Sequence, residues 1–165
     1  MVEVEPFKWK AHATLAKWHA TESFQLGCLP DEVSEHPGNM LLNNGIARLL
    51  DLLIGAGGQA LDATHCRIGV GDSTTAASAA QTDLQAATNK YFKLCSSVTR
   101  ASQTITVVAS FGSSQGNFAW EEWGIDFGTA DGTTVTAPLL NRKVTTMGTK
   151  ASGSTWQLTV TITVS

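Results

Sequence analysis

Charge is what this sequence has least of. Only 15% of its 165 residues are Asp, Glu, Lys or Arg, against a usual ~25% in soluble domains. The formal net charge of −3 leaves no surplus of positive charge. Nothing in that balance suggests a basic footprint for nucleic acid or a polybasic contact with a membrane. Long apolar runs are missing as well. The longest, around Ile46–Ile54 and Val107–Phe111, fall far short of the ~20 residues that span a bilayer. The opening MVEVEPFKWK is charged and carries no apolar stretch, so no signal peptide is expected. Cysteine is sparse: Cys28, Cys66 and Cys95 form an odd, widely spaced set. Such a set argues against a disulfide framework or a CxxC metal site. Reduced, mostly buried thiols made in a cytoplasm are the expectation.

What is present points to β structure. Hydrophobic residues make up 42% of the chain, with 15 Gly, enough apolar content to rule out disorder over the whole length. Thr is abundant and its share rises toward the C-terminus, a strand- and turn-forming composition. The length suits one domain with an appended arm.

The chain changes character near residue 40. Residues 1–40 hold three Lys, six acidic residues and three of the four His. Aromatics are scattered through them at Phe7, Trp9, Trp18 and Phe24, and no period is sustained. A short helix over 11–20 is compatible with the sequence, and Pro30 and Pro37 interrupt regular structure beyond it. Two readings stand: an extended N-terminal arm laid over a neighbouring chain, or a segment folded back on its own domain. The first is the working expectation, with the four aromatics as partner-binding residues and 41–165 as a separate β-rich domain.

Ile46, Leu49, Leu50 and Leu53 fall at i, i+3, i+4 and i+7 and predict a helix near 44–54. Asn43 or Asn44 would cap its start, and Gly55, Gly57 and Gly58 would stop it. After it the pattern is β. Cys66, Ile68 and Val70 alternate with Arg67 and Gly69. Residues 91–98 read as one strand. Ile105, Val107, Ala109 and Phe111 share a face. Trp156, Leu158, Val160, Ile162 and Val164 share another, against Gln157, Thr159, Thr161 and Thr163. Five or six such strands separated by turns predict a mainly β fold: an antiparallel β-sandwich or barrel with one short α-helix.

Several local patterns resemble catalytic or binding sites and fail on their own chemistry. Gly71-Asp72-Ser73 at a strand end resembles the nucleophile block of GDSL-type hydrolases. A serine nucleophile needs a His base, and no His follows His65. Gly69-x-Gly71 lacks the third glycine and the helix of a dinucleotide fingerprint. Asp62, His65 and Cys66 have no second cluster to complete a metal shell, and His12, His19 and His36 are scattered. Trp120, Glu121, Glu122 and Trp123 suggest a sugar platform. Strict strand alternation, however, points the two Trp to opposite faces, and neighbouring carboxylates cannot flank one glycosidic bond. No catalytic residue, cofactor or metal is expected.

One resemblance remains. Its residues are 43–55, then Arg67-Ile68-Gly69-Val70-Gly71-Asp72-Ser73-Thr74-Thr75-Ala76-Ala77-Ser78, then Gln81-Thr82-Asp83-Leu84-Gln85. It continues through 118–125, Leu140-Asn141-Arg142-Lys143-Val144, Gly148-Thr149-Lys150 and a Thr-rich final strand. This series resembles a group of tailed-bacteriophage virion structural proteins. More distantly it resembles the "IGVGD" opening domains of phage tail-fibre and collar proteins. It spans roughly 41–165. The resemblance implies a virion component assembled in a bacterial cytoplasm, without catalytic residues. Its partners would be copies of itself and other virion proteins, the major capsid protein or tail and collar subunits, with no nucleic acid or membrane. Capsid decoration (cement) through the N-terminal arm is the expected role. A tail, collar or fibre-attachment protein and a host-glycan adhesin are the alternatives.

Overall fold

A computed structural model describes residues 7–165. In chain order the elements are β1 (Trp9–Trp18), α1 (Thr21–Gln25), β2 (Glu32–Pro37), β3 (Met40–Leu41), α2 (Asn43–Ile54), β4 (Arg67–Gly71) and β5 (Lys90–Leu94). They continue with β6 (Ser97–Ala101), β7 (Thr104–Phe111), β8 (Ala119–Asp126), β9 (Asn141–Thr149) and β10 (Thr155–Val164). The strands form two five-stranded antiparallel sheets. One has the order β2-β1-β10-β7-β6 and the other β3-β9-β8-β4-β5. Their inner faces share one apolar core, to which β1, β7 and β10 contribute from the first sheet and β4 and β8 from the second. The expected mainly β sandwich is therefore the observed fold.

The alternation read from the sequence places β10. Leu158, Val160 and Ile162 are buried, while Thr159, Thr161 and Thr163 are partly exposed. Trp156 closes the end of this row, edge-on to Trp120 at 4.9 Å, and Trp120 meets Phe111 in the same manner at 4.7 Å. Edge-to-face pairs of this kind add to the area they bury.

The expected arm over 1–40 is corrected for residues 9–37; its first six residues lie outside the described part. β1 pairs along its whole length with β10, from Trp9↔Val164 to Trp18↔Thr155, and on its other side with β2. It is an inner strand of the sheet. Residues 11–18 are strand, not helix. Their inward positions, Ala11, Ala13 and Leu15, are buried, but alanine carries little apolar signal and favours helix by propensity. The period of two was therefore faint.

Other expectations shift in detail. Among the described residues seven strands follow α2 where five or six were expected, three more precede it, and there are two short helices rather than one. The strand read over 91–98 is two strands, β5 and β6, and the chain changes sheets at Cys95-Ser96. Helix α2 begins after Leu42 without a side-chain cap from Asn43 or Asn44. It ends where expected, at Gly55, whose φ of 69° is the left-handed turn that favours glycine. The two Trp of β8 do not point apart. The β8–β9 register shifts between Trp120 and Glu122, where two steps along β8 lie against four along β9, and the strict alternation expected of a regular strand is broken there. Trp120 and Trp123 both enter the core, fully buried.

Candidate functional site

Residues 72–89 and 127–140 cross the outer face of the second sheet and enclose a smaller apolar cluster of Leu42, Leu84, Phe92 and Leu139. Two buried Arg–carboxylate pairs rise from the sheet to hold these loops. Arg67 Nε donates to Asp126 Oδ1 at 2.8 Å, and its Nη2 pairs with the other carboxylate oxygen. The same guanidinium donates to the Ala130 carbonyl at 2.8 Å and to Thr136 Oγ1 at 2.9 Å. It also lies 4.8 Å from the centre of the Phe92 ring. Arg142 Nε donates to Glu122 Oε2 at 2.6 Å and the guanidinium reaches Gln81 Oε1 and the Thr75 carbonyl, each at 2.9 Å. The Glu122 carboxylate accepts the backbone N–H groups of Gln85 and Ala86 at 3.0 and 2.8 Å.

These contacts give a structural account of much of the Ile68–Gln85 series. Gln81, Gln85, Glu122 and Arg142 form one bonded frame. Gly69 and Gly71 are small because their neighbours need the space. A Cβ at Gly69 would stand 2.4 Å from the Phe92 ring, and one at Gly71 would stand 2.6 Å from Glu122 Oε1. The Gly-x-Gly pattern serves packing across the strands.

The enzyme-like residues do not come together. Ser73 Oγ accepts the Thr75 N–H at 3.2 Å, and among the described residues no imidazole hydrogen-bonds it. Asp62 closes a local turn, accepting the Thr64 hydroxyl at 2.7 Å and the Thr64 and His65 backbone N–H groups at 2.8 and 2.9 Å. The Thr64 hydroxyl and the His65 ring hold its carboxyl down at about 2. Cys66 turns inward, away from that turn. His12 pairs with Glu35, drawing the Glu35 carboxyl below its usual range with help from Thr14. His19 is beside Asp31, while His36 is buried between Ser34 and Thr145, and burial lowers its pKa. Among the described residues no three His, Cys, Asp or Glu side chains cluster as a metal shell. Glu122 is in the loop frame, whereas Glu121 accepts from Thr146 on the surface.

The four aromatics expected to bind a partner separate into two pairs. Trp18 is buried, edge-on to Phe24 at 5.0 Å, and its indole N–H donates to the Cys28 carbonyl at 2.8 Å. That pair ties the 21–28 turn to β1. Phe7 and Trp9 lie elsewhere, at the open end of the sandwich, where they line a groove of about 490 Å³. Its other walls are Ile105, Ile162 and Val164 from the strands and Ile46, Leu49, Leu50 and Leu53 from α2. Phe7 is 67% exposed, Leu50 55% and Leu53 80%. Trp9 is half-buried and donates to Asn39 Oδ1 at 2.9 Å.

Helix α2 is fastened at its N-terminal half and projects beyond it. Leu42 is fully buried, and Gly45 packs so closely on Leu140 that a Cβ would meet its carbonyl oxygen at 2.2 Å. Arg48 covers the Phe127 ring at 4.7 Å. From residue 49 onward every residue of the helix is exposed. Leu52 and Ile54 add further apolar surface outside the groove. The sequence contained a hint of this. Residues 49–54 are apolar on more than one face, beyond what a helix on one sheet can bury. Comparison with known proteins finds no counterpart: no family model, curated protein or solved structure matches the chain.

Proposed function

We propose that this chain is a structural component of a tailed-phage virion and that the α2 groove, in place of an N-terminal arm, is its contact with a neighbouring virion protein. The observation that carries the reading is the apolar surface of α2. Ile46, Leu49, Leu50, Leu52, Leu53 and Ile54 are between 38% and 80% exposed on one twelve-residue helix. Contiguous apolar patches on monomers mark interaction sites. A fully buried Leu or Ile contributes ~1.5–3 kcal/mol, so covering six partly exposed ones stabilises a complex by several kcal/mol. The class of partner proposed is the one implied by the sequence resemblance read over 41–165. Capsid decoration is the station proposed, with the major capsid protein as the partner.

The test is quantitative composition of purified particles together with a binding assay on them. Hundreds of copies per particle are expected for decoration. A handful would move the protein to the tail or collar, and complete absence from particles would overturn the virion reading. Leu50→Asp with Leu53→Asp should abolish particle binding and leave the melting temperature within a few degrees of wild type. Undiminished binding by that variant would remove the groove from the contact.

A further inference from the structure

The chain changes sheets at Cys95-Ser96, and there two of its three cysteines meet. Cys66 directly precedes β4 and Cys95 directly follows β5. The β4–β5 register runs from Gly71↔Lys90 to Arg67↔Leu94, so Cys66 and Cys95 are the next cross-strand positions. The Cys95 N–H donates to the Cys66 carbonyl at 2.8 Å, extending the ladder by one step. Both side chains enter the main core, and their sulfurs are in contact at 3.1 Å. Opposed residues on antiparallel strands have Cα atoms ~4.5–5.5 Å apart, within the range a disulfide bridges. Both thiols are free, and Cys28 is exposed on the 21–28 turn.

We propose that Cys66 and Cys95 are a modification site: a dithiol that closes to a disulfide in an oxidising glutathione pool and locks the loop layer over the second sheet. The bond would enclose 67–94, which includes the whole 72–89 loop. A thiolate of one cysteine attacks a sulfur of oxidised glutathione, and one glutathione thiolate leaves. The second cysteine then attacks the mixed disulfide at the protein sulfur, and the second glutathione leaves. The two thiols give up two protons and two electrons, and one glutathione disulfide becomes two glutathione thiols. The hydrogen bond to the Cys95 sulfur, and then burial, push the Cys66 thiol up. Its thiolate is therefore scarce in the closed fold, and oxidant has little access to either sulfur. Reaction proceeds from the open or refolding chain, and once formed the bond restricts the unfolded ensemble. The inference stands on the strand register and is independent of the proposed virion role.

The experiment uses the full chain carrying Cys28→Ser, which removes competing pairings. The protein is refolded from denaturant at pH 8 in a mixture of oxidised and reduced glutathione. A mass lower by about 2 Da is expected, with a Cys66–Cys95 cross-linked peptide after digestion. A melting temperature about 5–10 °C above that of the reduced protein is also expected, with the difference abolished by reductant. The same chain with Cys66→Ser should refold without the mass loss or the shift. Two thiols still open to alkylation after refolding would overturn the proposal. So would a bonded form that melts below the reduced one, since the native strands would then be distorted by the bond.

Discussion

Lys150 is 1% exposed and among the described residues its ammonium is held only by neutral oxygens, the Gly112 carbonyl and Asn117 Oδ1, each at 2.8 Å. Burial without a carboxylate lowers its pKa from 10.5 to about 8. Between those two values the unfolded chain holds a proton that the folded chain has released. Stability therefore rises as pH increases from about 8 to about 10.5, by up to ~3 kcal/mol. Below that window the ammonium is buried at full cost. Lys150→Met should flatten this part of a stability–pH curve measured by chemical denaturation, and an unchanged slope would show that Lys150 is not its source. Arg67 is the opposite case, a buried cation whose carboxylate is close by. Arg67→Ala leaves Asp126 buried and unpaired and should cost ~3–5 kcal/mol, read as a fall in the denaturant midpoint. A loss under about 1 kcal/mol would mean that water replaces the guanidinium. Neither environment was legible in the sequence. Asp126 is 59 residues from Arg67, and Lys150 gives no local sign of burial.

Single elements differ in how openly their sequences declare them. β10 alternates large aliphatics with Thr, so the residue pattern alone assigns its two faces. Ile162→Ala should cost ~2–5 kcal/mol through the cavity it leaves, and Thr161→Ala well under ~1 kcal/mol. Equal losses in thermal or chemical denaturation would show that the two faces are not energetically distinct. β1 conceals its alternation behind Ala11 and Ala13, and its Lys17 is an inward residue. That ammonium lies 4.7 Å from the Trp156 ring and donates to Glu32 at 2.8 Å, so a charged residue occupies a core-facing position. The α2 helix was legible as a helix with a defined stop at Gly55. Its exposure was not, because a 3.6-residue period identifies an apolar face without saying whether this chain covers it.

At the scale of the molecule, β1 decides how many bodies the chain contains. It lies between β2 and β10, so a chain of residues 41–165 would lose two strands and expose the flank of β10. That truncated chain is expected to be insoluble or to lack a cooperative melting transition. A soluble 41–165 fragment with the melting temperature of the full chain would restore the separate-arm reading. The sequence by itself determined the fold class, the antiparallel character, the position of α2 and the inward face of β10, because alternation and helical period are local properties of neighbouring residues. Only the tertiary structure decided that residues 9–37 belong to the sandwich, that 91–98 divides between two sheets, that Trp120 and Trp123 face one side across an irregular stretch of the β8–β9 ladder, and that Arg67 and Arg142 hold the loop layer. Each of these depends on which distant strand lies alongside. That choice is made by the packing of the whole core and leaves no period in the residues that obey it.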